Sequence, residues 1–92
     1  MKYLVEFVGT FIFLSVILTQ GKPIPIAAAL LAVVYFGGAV SGGNFNPAVS
    51  VMMYFKKAVS GFDLPFYIIA QILGGLMALQ FANFTAPVVS VA

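Results

Sequence analysis

The sequence predicts an all-α membrane protein: three transmembrane helices plus one re-entrant half-helix. Three observations carry that expectation. First, 63% of the 92 residues are hydrophobic and 7% charged, with a mean hydropathy of +1.16. A soluble domain of this size cannot bury so much apolar surface, and soluble chains carry about 25% charged residues. Second, the apolar residues fall into three runs long enough to cross hydrocarbon. Third, the stretch Ser41-Gly42-Gly43-Asn44-Phe45-Asn46-Pro47-Ala48-Val49-Ser50 interrupts them between the second run and the third.

The first span covers 3–19, between Lys2 and the turn Gln20-Gly21-Lys22-Pro23. A cleaved signal peptide fits it poorly: Glu6 lies within the apolar run, only Lys2 precedes it, and no clear small-residue cleavage site follows. An ionisable group in such a segment faces protein or water and takes a partner; near the headgroups Glu6 would instead be solvated. Gly9, Thr10 and Ser15 are small enough to admit a neighbouring helix.

The second span covers 24–40, with Pro25 in its first turn, where proline is tolerated. Ala28 and Ala32, and likewise Gly38 and Gly42, stand four apart, a spacing that permits close helix contact. The interrupting stretch follows. Gly42-Gly43 allows backbone angles that other residues resist. Asn46 is a preferred N-cap, and Pro47 suits the first helical position. A helix over 47–55 is roughly 14 Å long, about half a hydrocarbon core. Such broken segments persist at membrane depth only when buried in protein or lining a watery cavity, so the stretch is a candidate solute site.

A polar interval from Lys56 to Asp63 leads to the third span, 64–83, with Pro65 in its first turn. Ala70, Gly74, Ala78 and Ala82 form a stripe at four-residue spacing, with Gly75 beside it, a face suited to touching helices. Gln71 and Gln80 require hydrogen-bond partners at depth, Gln71 being the deeper. Residues 85–92 carry Pro87 and no charge and read as a frayed end. The chain reads as one domain, 1–92.

The net charge of +2 rests on Lys2, Lys22, Lys56 and Lys57 against Glu6 and Asp63, too few for a nucleic-acid footprint. There is no cysteine and no histidine, which leaves no thiolate or imidazole for a metal, no usual general base, and no basis for an enzyme or a bound cofactor. If the half-helix re-enters from the side where the second span ends, Lys2, Lys56 and Lys57 share one face and Lys22 lies opposite. That bias predicts a cytoplasmic N-terminus in a protein integral to the lipid bilayer. Tyr3, Tyr54, Phe62, Phe66 and Tyr67 then fall near the same interface, where aromatic side chains are at home.

The stretch 41–50 resembles the first signature of the major intrinsic protein family, the aquaporins and glycerol facilitators, which runs Ser-Gly-x-His-x-Asn-Pro-Ala-Val-Thr. Val5-Glu6-Phe7-Val8-Gly9-Thr10 is similar to that family's first-helix motif, and Tyr67-Ile68-Ile69-Ala70-Gln71-Ile72-Leu73-Gly74-Gly75 to the start of its third. The resemblance implies one of two inverted repeats, each with a half-helix meeting its counterpart at the bilayer midplane. Carried over, Asn46 is the central donor to water or a small polyol, and Pro47 and Ala48 form the packed turn. The backbone carbonyls of Gly43, Asn44 and Phe45 line the path, while Glu6 and Gln71 hold the loop. The sequence departs from the family pattern in lacking a second Asn-Pro-Ala and any arginine, so it resembles the first half only. Ile26, twenty residues before Asn46, takes a filter position where an aromatic residue is usual, which implies a wider or atypical filter. Asn44 stands where the family carries histidine. The expected function is a half-size channel subunit for passive flux of water or small neutral solutes such as glycerol, completed by an inverted copy or a separate second half. The competing expectation is a non-conducting subunit or fragment that associates with full-length channels.

Overall fold

The computed structural model describes residues 1–85; the expectation of a frayed end around Pro87 falls on 86–92, outside them. Four helices follow in order: α1 (Lys2–Thr19), α2 (Pro23–Ser41), α3 (Pro47–Phe55) and α4 (Asp63–Thr85). α1, α2 and α4 are long and apolar enough to cross a membrane, and α3, at nine residues, is not.

Local chemistry explains the boundaries. α2 starts on Pro23 after an extended Lys22, so the missing proline N–H falls among groups a helix start leaves unpaired anyway. It stops at Gly42, whose φ of 89° is cheap only for glycine. α3 is capped by Asn46, whose side chain accepts from the Ala48 N–H at 2.7 Å. It closes with Lys57 at φ 69°, the Lys57 N–H reaching the Tyr54 carbonyl and the Ala58 N–H reaching Met53. That is the Schellman arrangement with lysine in the place glycine usually takes.

α1 is the central helix. It packs along α4 on one side and α2 on the other, while α3 lies on α4. Contacts from Lys2 to Asp63, Glu6 to Gln71 and Phe11 to Phe81 climb both helices together, so α1 and α4 run parallel. The Ala70, Gly74, Ala78 and Ala82 stripe is buried in this seam. A Cβ at Gly74 would lie 2.7 Å from the Phe7 carbonyl oxygen and 3.1 Å from the Phe11 nitrogen, so the two backbones touch there.

On α2 the outcome differs from the spacing argument. Ala28 and Ala32 are exposed, and the close approach to α1 is made by buried Gly37, where a Cβ would come within 2.8 Å of Val5. Small residues four apart show that a helix can be approached, not which neighbour approaches it. The interior is small and polar: Glu6, Thr10, Ser15, Ser41, Asn44, Ser50 and Gln71 are all buried. Ile24, Leu31, Tyr35, Phe36 and Phe84 point outward. In water that distribution would be costly; against lipid tails the outward side chains lose nothing.

Candidate functional site

The connection from α2 to α3 turns back on itself through three left-handed residues, Gly42, Gly43 and Phe45, with φ of 89°, 68° and 53°. Glycine adopts such angles without strain, whereas at Phe45 they cost roughly 1–2 kcal/mol. Burial of the Phe45 ring offsets that cost. The ring is 2% exposed and sits in a notch made by Gly9 of α1 and Gly37 of α2. A Cβ at Gly9 would overlap the ring, and one at Gly37 would come within 3.0 Å of it.

Glu6 braces the turn from below. Its Oε1 accepts from the Phe45 N–H at 2.8 Å and from Gln71 Nε2 at 2.7 Å. Its Oε2 accepts from Ser41 Oγ at 2.6 Å and the Asn44 N–H at 3.1 Å. Two donors on each oxygen satisfy the carboxylate, and Glu6 is 0% exposed, so it is not a headgroup residue. The set extends outward. Gln71 Nε2 and Asn44 Nδ2 both donate to Ser50 Oγ, at 2.7 and 2.9 Å, tying the first turn of α3 to α4. Tyr67 donates its hydroxyl to the Ser41 carbonyl at 2.8 Å. Tyr67 is 4% exposed, so it faces protein rather than lipid headgroups, and its ring packs edge-on on Tyr3, which joins Phe66 and Phe62 in an aromatic cluster at that end.

Gln71 lies eight residues beyond the start of α4, about 12 Å up the helix at 1.5 Å per residue. Ser50, bonded to it, therefore stands near mid-depth of a hydrocarbon core about 30 Å thick, with the N-terminus of α3 beside it. Asn46, Pro47 and Ala48 are exposed at that tip. The Asn46 side-chain oxygen is held by the Ala48 N–H, which directs the amide nitrogen, a donor, away from the helix. The three N–H groups of Gly43, Asn44 and Phe45 turn inward onto Ser41 and Glu6.

The residues singled out in the sequence separate into two sets. Gly43, Asn44, Phe45, Asn46, Pro47, Ala48, Glu6 and Gln71 meet in one cluster. Ile26 does not join it: it lies in the first turn of α2, half-buried, fifteen residues before Ser41, roughly 22 Å along the helix. Sequence reasoning missed Ser41, Ser50 and Tyr67 as parts of the brace. Tyr67 carried a usable signal, since it stands one turn before Gln71 on the same face of α4.

Comparison with known proteins gives a consistent result. The sequence profile of the Major intrinsic protein family matches residues 1–91. The chain is 42% identical over 86 residues to "Glycerol uptake facilitator protein-like 6" of Lactiplantibacillus plantarum, covering 84% of this chain and 40% of that one. It is 36% identical over 87 residues to human "Aquaporin-9", covering 78% of this chain and 30% of the relative. For "Aquaporin NIP3-1" of Arabidopsis thaliana the figures are 37% over 91 residues, 84% and 28%. The chain thus spans well under half the length of these relatives. No solved structure matches it.

Proposed function

The chain belongs to the major intrinsic protein family, and from that premise we propose that it is a half-channel for passive flux of water or small neutral solutes such as glycerol. The observation that carries this reading is the tip of α3. Asn46 is exposed, its oxygen committed to its own helix cap and its amide donor left for a solute. The turn behind it is braced so completely by Glu6, Ser41, Gln71 and Ser50 that the donor's position is fixed before any solute arrives. The positive end of the α3 dipole adds a barrier to cations at the same point.

On this reading Asn46 is the donor, Pro47 and Ala48 shape the turn, and the carbonyls of Gly43, Asn44 and Phe45, whose N–H groups face inward, are the acceptors along the path. Glu6 and Gln71 act through the loop rather than on the solute. Ile26 belongs to a separate constriction farther along α2. Among the described residues the α3 tip faces no second half-helix, and three spans do not enclose a pore. The second half is supplied by an inverted copy or by another polypeptide, as inverted-repeat transport folds allow.

Flux into vesicles containing the purified chain tests this. Asn46→Leu abolishes water and glycerol flux while the amount of membrane-inserted protein is kept. Asn46→Ser, which keeps a capping oxygen but shortens the donor's reach, lowers flux without loss of protein. Unchanged flux in Asn46→Leu would retire the assignment. The exposed Ala28 and Ala32 face of α2 favours a second reading, a non-conducting subunit docked on complete channels. That reading requires no flux from the chain alone and altered flux of a co-inserted channel.

A further inference from the structure

The seam between α1 and α4 is periodic. Ala70, Gly74, Ala78 and Ala82 repeat every four residues and are all buried. A slide of about one turn, roughly 5–6 Å, keeps small residues along the seam, and packing opposes it mainly at one point, where Ala70 or Ala78 would replace Gly74 against the α1 backbone. Yet register decides where Glu6 lies, because Glu6 rides on α1 while Gln71 is carried by α4. Directional contacts add to the selection that Gly74 makes.

One is the Gln71–Glu6 bond itself. The other stands at the helix starts, outside the brace. Lys2 Nζ lies 2.7 Å from Asp63 Oδ2, and Tyr3 donates its hydroxyl to Asp63 Oδ1 at 2.5 Å. The Asp63 N–H is held by Ser60 Oγ at 3.0 Å, which ties the start of α4 to the linker from α3. The Tyr3 ring packs edge-on against Tyr67, centroids 5.9 Å apart, and tilted on Phe66 at 5.4 Å. Among the described residues Lys2–Asp63 is the one ion pair. Lys2 stands one turn before Glu6, and Asp63 two turns before Gln71.

We propose that Asp63 is a positioning residue for the re-entrant turn. Through Lys2 and Tyr3 it locks α1 against α4 in the register that delivers Glu6 to the N–H groups of Asn44 and Phe45. A slide of one turn sets Tyr67 or Gly75 opposite Glu6 and removes the amide donor that couples it to Ser50. The consequence for flux rests on the half-channel reading; the consequence for register does not.

The chain has no cysteine, so introduced thiols report without background. In native register a Cβ at Gly75 lies 3.1 Å from Leu14 Cδ1, so Leu14→Cys/Gly75→Cys places two thiols within reach of a short bifunctional cross-linker. In an Asp63→Asn background the cross-linking rate falls about threefold, the scale of an exposed ion pair with added hydrogen bonds, and solute flux falls with it. Tyr3→Phe, which deletes a single hydroxyl, moves both in the same direction by less. The exchanged pair Lys2→Asp/Asp63→Lys recovers the part owed to the ion pair and stops near the Tyr3→Phe level, since a lysine cannot accept from Tyr3; a merely bulky contact would recover nothing. Unchanged cross-linking in Asp63→Asn overturns the proposal, as does an exchanged pair that recovers nothing over Asp63→Asn. Slower cross-linking with flux unchanged sustains the register lock and counts against the pore reading instead.

Discussion

Four donors converge on Glu6, and deleting the acceptor strands two of them and weakens the hold on the other two. Two are backbone N–H groups, of Asn44 and Phe45, with no other partner. The others, Ser41 Oγ and Gln71 Nε2, lose their shortest or joint-shortest bond. A buried donor left unpaired costs about 1–3 kcal/mol, so Glu6→Ala, which leaves two, reduces folded protein in the membrane severalfold, read by detergent extraction and size-exclusion profile. Wild-type levels would mean the turn holds its shape without the brace. The need for a partner at Glu6 and Gln71 was legible in the sequence, because a carboxylate and an amide in apolar spans require one. The identity of the partners was not. Ser41 and Ser50 are small hydroxyl residues of a kind that transmembrane helices carry freely, and nothing in their spacing marks them. The Phe45 notch was illegible for another reason: it joins Gly9, Gly37 and Phe45 from three separate segments, and each reads by itself as ordinary packing.

At the scale of elements, the same four-residue pattern had two outcomes. The α4 stripe is buried against α1, while Ala28 and Ala32 of α2 face outward. Periodicity records which face is smooth, and the tertiary arrangement decides whether this chain covers it. The helix boundaries were largely legible because proline, asparagine and glycine mark them by mechanism. The end of α3 at Phe55 was legible from the apolar run stopping at Lys56-Lys57, but its geometry was not, since Lys57 fills a left-handed position without the usual glycine. Gly74 tests the seam itself. An added methyl meets α1 backbone, the Phe7 carbonyl and the Phe11 nitrogen, rather than a side chain that could swing aside. Gly74→Ala therefore separates the helices and costs about 1–3 kcal/mol, the range for overpacking. The measurable result is a lower melting midpoint in detergent. Gly38→Ala is the matched control, because a Cβ there has nothing within 4 Å. Equal melting of the two variants would mean that the seam yields.

For the molecule as a whole, coverage is the controlling quantity. α2 packs on α1 and α3 on α4, so each keeps a bare side, and Tyr35 and Phe36 stand 77% and 79% exposed on α2. Phenylalanine is at home in lipid; a tyrosine hydroxyl deep in a span is not, unless something accepts from it. The charges do little to choose an orientation. Lys2 shares its end of the bundle with Asp63, Lys56 and Lys57, and Lys22 lies in the α1–α2 turn at the other end. Three lysines against one favour a cytoplasmic N-terminus in most copies, but so small a bias admits the reverse in others. An inverted pair would set one α3 tip against another across a two-fold axis in the membrane plane, closing the assembly without an open end. We therefore expect an N-terminal reporter to be detected on both membrane faces, with the cytoplasmic face in excess. The purified chain in nanodiscs is expected to contain an even number of copies, cross-linked through a cysteine introduced at Tyr35. A single orientation together with a monomeric, conducting particle would remove the need for a second half. A single orientation with no conduction would shift the missing half to a different polypeptide.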